Sequence, residues 1–174
     1  SMLAAFALPK ILDKLNDRTV MLSGTVVLVV GLFSGYFISA YTGLLALWFI
    51  LGIGYSVSQT PTGRLIRKSA SSENRTALFA AQFAFSHACW LITYPLVGWL
   101  STSFGTLITF LPMAFIALVS IVVAFVIWPK NDNLVLEHTH LDLPEDHEHL
   151  LQHNYKGKHE HEFMIDSYHQ HWPK

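Results

Sequence analysis

The chain has 174 residues, is 52% hydrophobic and 13% charged, and carries a formal net charge of -1. These averages hide two different polymers, and that uneven distribution excludes an ordinary soluble domain, which interleaves charge with apolar residues to keep its surface wet. Between Thr19 and Trp128 the only charged residues are Arg64, Arg67, Lys68, Glu73 and Arg75, whereas nine of the ten histidines follow Pro129.

The opening stretch, Ser1 to Leu8, is apolar but has no basic flank before it and no small-residue cleavage site after it. It does not read as a signal peptide. It reads as the last turns of a helix that began earlier, with residues 1–18 completing that helix and a loop. The chain is therefore expected to be a C-terminal piece of a longer protein.

A helix rises ~1.5 Å per residue and the hydrocarbon core is ~30 Å thick, so a span needs roughly 20 apolar residues. Four segments within residues 19–128 meet that length, at about 19–40, 43–61, 77–100 and 107–128. The joints at Ser39–Gly43 and Ser101–Thr106 carry no charge. Lys10, Lys14 and Arg18 precede the first span, Arg64, Arg67, Lys68 and Arg75 separate the second from the third, and Lys130 follows the fourth. Basic residues in short loops stay cytoplasmic. An even number of spans then puts the chain start, the middle loop and the tail on the cytoplasmic side, with the cytoplasmic membrane as the expected location.

In the first span Gly24, Gly31 and Gly35 share one helical face, which suits close approach of a second helix. Either static packing or a seam that slides during a conformational cycle accounts for it. Gly52, Gly54 and Pro61 suggest an irregular end to the second span. In the third, Gln82, Ser86, Cys89 and Thr93 recur at spacings of four, three and four, within one narrow arc. Polar side chains in a span face a bundle interior or a water-filled cavity. Gln82, Ser86 and Thr93 are therefore candidates for lining a cavity, with plain interhelical hydrogen bonding as the alternative. His87 falls off this arc and is expected to be a packing or interfacial residue. The single cysteine, Cys89, allows no internal disulfide.

Leu15-Asn16-Asp17-Arg18, directly before an apolar span, resembles the cytoplasmic loop signature Gly-x-Leu-x-Asp-Arg-x-Gly-Arg of the major facilitator superfamily. Leu15, Asp17 and Arg18 match; Asp13, Val20 and Met21 stand at the two glycine positions and the final arginine. Pro61-Thr62-Gly63-Arg64-Leu65-Ile66-Arg67, followed by Asn74-Arg75, is similar to the loop between that family's tenth and eleventh helices. The alternation of basic loop, span and uncharged turn fits the same layout. The resemblance covers residues 1–128 and implies an all-α membrane protein: helices nine to twelve of a major-facilitator-type half-bundle, after the end of helix eight. It further implies a secondary transporter working by alternating access, with Asp17 and Arg18 as gating-loop residues that engage neighbouring helix ends. Its partners would be the lipid bilayer, the missing N-terminal part of the same transporter, and a small solute or metal ion. No nucleic-acid partner, enzymatic activity or required cofactor is expected.

Residues 129–174 form a tail rich in histidine and acid, expected to be largely disordered. Four His-x-His pairs punctuate it: His138 with His140, His147 with His149, His159 with His161, and His169 with His171. Residues i and i+2 of an extended chain point to one side, so each pair can offer two imidazoles to one ion. Neutral imidazole suits zinc or nickel, and thiolate ligands are absent from the tail. Solubilising charge and pH sensing are the other readings of the same residues. The tail resembles those of some nickel exporters in composition, which makes a divalent metal ion, nickel or zinc, one candidate substrate. A membrane-anchored metal buffer or sensor is the alternative function.

Overall fold

An apolar run in lipid has no water to satisfy its backbone, so its N–H and C=O groups close on one another as helices. The computed structural model describes residues 16–71, 73–128, 135–138 and 159–162. Five helices follow in chain order: α1 (Asp17–Gly35), α2 (Tyr41–Gln59), α3 (Thr62–Ser69), α4 (Arg75–Phe104) and α5 (Thr106–Ile127). Two short strands come after them, β1 (Val135–His138) and β2 (His159–Glu162).

The helix ends differ from the expected spans for local reasons. Asp17 begins α1, where a carboxylate in the first turn faces the positive end of the helix dipole. The helix stops at Gly35, short of Ala40. There the backbone tightens through i+3 bonds from Tyr36 to Phe33, Phe37 to Ser34 and Ile38 to Gly35. Pro61 ends α2 but starts α3 almost at once, because its carbonyl accepts from both Arg64 N and Leu65 N at 3.0 Å. The second rod thus runs nearly unbroken from Tyr41 to Ser69, well past residue 61. The joint between α4 and α5 shrinks to Gly105, whose φ of 91° is open to glycine at little steric penalty. Ser101 Oγ and Thr109 Oγ1, 3.2 Å apart, tie the two helices across that joint.

Packing centres on α1, which lies against α2 on one side and α5 on the other; α4 reaches the bundle through α5 and α3. Val20, Leu47, Leu51 and Ala114 are buried between these helices. The glycine face of α1 is split between two neighbours. Gly24 meets the α2 backbone at Gly54 and Ser58, Gly31 meets the Leu51 side chain, and Gly35 meets the Phe110 ring of α5.

Outside this thin core the surface is apolar. Phe85, Leu91 and Val126 are about three-quarters exposed, and no residue of α4 is buried. Soluble proteins rarely expose apolar patches beyond a few hundred Å². Four helical segments among the described residues are long and apolar enough to cross a membrane. Lipid is the solvent that this surface fits.

Within the tail, β1 and β2 pair antiparallel. The tail therefore contains one short ribbon among its described residues.

Candidate functional site

The first turn of α1 is where charge enters the bundle. Asp17 is buried, its side chain only 2% exposed, and Arg64 of α3 reaches it from 47 residues away. Arg64 Nε donates to Asp17 Oδ1 at 2.9 Å and to Oδ2 at 3.2 Å, while Nη2 donates to Oδ1. Two nitrogens of one guanidinium face one carboxylate, a fork that fixes orientation as well as charge. It ties the start of α1 to the short helix that continues the second rod.

Arg18 turns the other way. Its Nη2 donates to the Phe125 carbonyl at 3.2 Å, and its guanidinium carbon lies 5.0 Å from the centre of the Phe125 ring. Phe125 sits in the last turn of α5, where backbone carbonyls lack helical partners and the dipole favours a cation. Adjacent residues of opposite charge thus grip two different helix ends. Val20, standing where the loop signature has glycine, is packed into the core at 3% exposure.

A cavity of about 620 Å³ lies between the second rod and α4. Gln59, Thr62 and Ser69 give its polar groups on one wall, and Gln82, Ser86 and Cys89 on the other. Ser86 donates its hydroxyl to Phe83 O at 2.9 Å, which leaves the oxygen's acceptor capacity. Thr93 does not line this cavity; its hydroxyl donates back to Cys89 O at 2.9 Å. His87 packs beside Phe83 and Trp90, with ring centres 3.8 and 4.8 Å away.

A sequence profile of the Major Facilitator Superfamily matches residues 1–148. The chain belongs to this superfamily. No curated protein and no solved structure matches it. As a superfamily member it is an integral membrane protein of the transporter class, and the four membrane-length helical segments are consistent with a half-bundle of that architecture.

In this superfamily chain, sequence reasoning named Asp17 and Arg18 but missed Arg64 as a partner. The available signal was its place in Pro61-Thr62-Gly63-Arg64, one helical turn beyond a buried proline. Of the eight candidate metal ligands, His138, His159 and His161 lie on the two strands. His140, His147, His149, His169 and His171 lie outside the described residues. Among the described residues, no group of three or more His, Cys, Asp and Glu side chains is placed to hold a metal ion.

Proposed function

We propose that the chain supplies four helices of the C-terminal half of a secondary transporter working by alternating access, with Asp17–Arg64 as its cytoplasmic latch. The observation that carries this reading is the buried forked ion pair between the start of α1 and α3. A charge pair at a helix end is suited to a switch. It holds two segments together while dry, and water can solvate both partners once the ends separate. Arg18 on the α5 end would make the same loop sense a second helix. The cavity beside Gln82 and Ser86 then serves as part of the solute path, completed by helices from the rest of the transporter. Binding and translocation require no covalent chemistry.

Cys89 gives a native probe, since it is the chain's only cysteine, is exposed, and borders the cavity. In the full-length transporter, with other cysteines removed, impermeant thiol reagents should reach Cys89 from either side of the membrane, but not from both at once. Labelling confined to one side under every condition would exclude alternating access at this cavity. Gln82 lines the cavity with a side-chain amide that can both donate to and accept from a solute. Gln82→Leu should reduce transport at least tenfold with unchanged membrane insertion, the scale of ~1.4 kcal/mol for one lost hydrogen bond. Normal solute uptake by this variant would remove Gln82 from the path.

A further inference from the structure

The cavity between the second rod and α4 combines an apolar wall with neutral polar groups. Leu65, Ile66, Leu78 and Phe85 supply much of the wall, and amides, hydroxyls and the Cys89 thiol supply the rest. Among the described residues, its lining holds no carboxylate, imidazole or ammonium group. A volume of about 620 Å³ suits an organic molecule better than a single ion. A divalent cation would lose its hydration there and gain no anionic ligand.

Charge stands at one end of this cavity. Arg75 opens α4 and precedes Leu78, Gln82, Ser86 and Cys89 by three, seven, eleven and fourteen residues. Those spacings keep all five on one helix face, so Arg75 sits at the loop end of the stripe that lines the cavity. Its Nε is buried and makes no hydrogen bond with the described residues. A buried charged donor without an acceptor is more unfavourable than a neutral one. The neighbouring cations are placed differently. Arg64 is held by Asp17, and Lys68 is buried with a partner of its own. Arg67 is exposed in the last turn of α3, on the side away from Leu65, Ile66 and Ser69. Glu73, the only acid between Thr19 and Trp128, is exposed.

We infer that the cavity takes an amphipathic organic anion, with its apolar body against Leu65, Ile66 and Phe85 and its acidic head on the Arg75 guanidinium. A carboxylate, sulfonate or phosphate oxygen supplies the acceptor that Nε lacks, in a charge-assisted hydrogen bond. Gln82 and Ser86, two and three turns further along the stripe, are then left for polar groups on the body. Arg67 and Arg75 together give this end a positive field, which draws anions and repels cations. Carriage of such an anion rests on the transporter reading; binding it does not.

Cys89 borders the cavity and reports its occupancy. The full-length transporter, in a non-ionic detergent and with other cysteines removed, is alkylated at Cys89 with N-ethylmaleimide. Naphthalenesulfonate should slow this alkylation, while naphthyltrimethylammonium, which has the same ring system and the opposite charge, should leave its rate unchanged. Arg75→Gln should raise the half-protecting sulfonate concentration about tenfold or more, the scale of one lost charge-assisted hydrogen bond. Arg75→Lys, which keeps the charge, and Arg67→Gln, which lies off the stripe, should stay within about threefold of wild type. The comparison of the two ions on the wild type depends on no variant folding. Equal protection by both ions, no protection by the sulfonate, or equal weakening in Arg67→Gln and Arg75→Gln would each overturn the inference. Protection by phosphatidylglycerol but not by the sulfonate would give the site to a lipid headgroup and overturn it as well. Protection by the sulfonate alone, with thiol access that never alternates between sides, would remove alternating access and leave the anion site standing.

Discussion

Gly24→Val is expected to cause one of the two largest losses of stability among single substitutions in this bundle. A Cβ at Gly24 would stand 2.6 Å from Ser58 N and 2.7 Å from Gly54 O, and both are backbone atoms of α2. A flexible side chain can swing aside from such a clash; a helix backbone must move as a whole. Overpacking typically costs about 1–3 kcal/mol, occasionally more, and a clash with the rigid backbone of α2 places this site at the upper end. Helices in lipid gain little from hydrophobic burial against each other, so close packing carries much of their association. Gly52, on the same partner helix, has open space where its Cβ would be. Gly52→Ala should therefore be neutral or stabilise by up to about 1 kcal/mol through lower chain entropy and better helix propensity. Thermal unfolding in detergent would compare the two. If Gly24→Ala already matched Gly52→Ala in unfolding temperature, the close crossing of α1 and α2 would be wrong.

The sign difference between those two glycines shows what the sequence could and could not convey. Helical spacing of Gly24, Gly31 and Gly35 marked a face for close approach. It could not divide that face between α2 and α5, because the division depends on how Leu51 and Phe110 arrive from remote parts of the chain. The polar arc of α4 is similar. Periodicity put Gln82, Ser86 and Thr93 in one row, yet the cavity ends beside Cys89, and Thr93 satisfies its hydroxyl on its own helix. A row on a helix surface has no intrinsic end; its neighbours determine where it stops being covered. Pro61 misled in the opposite sense. Proline lacks an amide hydrogen and so reads as a terminus, but at the N-cap of α3 that missing donor does no harm. In the tail, composition pointed to disorder, while the register joining residues 135–138 to 159–162 is a long-range property that composition does not carry. The spans themselves were the most legible feature, since length and the absence of charge suffice to define them.

The Asp17–Arg64 pair should behave as a unit, and its signature is a double substitution milder than either single one. Asp17→Asn keeps the side chain's shape and removes its charge, which leaves Arg64, itself only 24% exposed, facing a neutral amide. Arg64→Gln leaves the more deeply buried carboxylate without its cation. Removing one member of a buried pair costs roughly 3–5 kcal/mol, because the survivor keeps its desolvation penalty and loses its compensation. Partial access of Arg64 to solvent reduces the first of these, so Arg64→Gln should be the more harmful. Removing both leaves two neutral amides of similar size, and much of the penalty disappears. Arg64→Lys should fall between, since an ammonium cannot reproduce the fork onto Oδ1 and Oδ2. The readout is trypsin cleavage after Arg67 or Lys68 in sealed membranes, where release of α3 from α1 exposes the segment leading to α4. Given about 1.4 kcal/mol per factor of ten, each single variant should raise the cleavable population by roughly 100-fold and the double variant by much less. Charge reversal of both partners, Asp17→Arg with Arg64→Asp, should restore part of the protection if geometry allows the fork to reform. Additive losses in the double variant, or cleavage unchanged in both singles, would mean that these charges do not hold the two segments together.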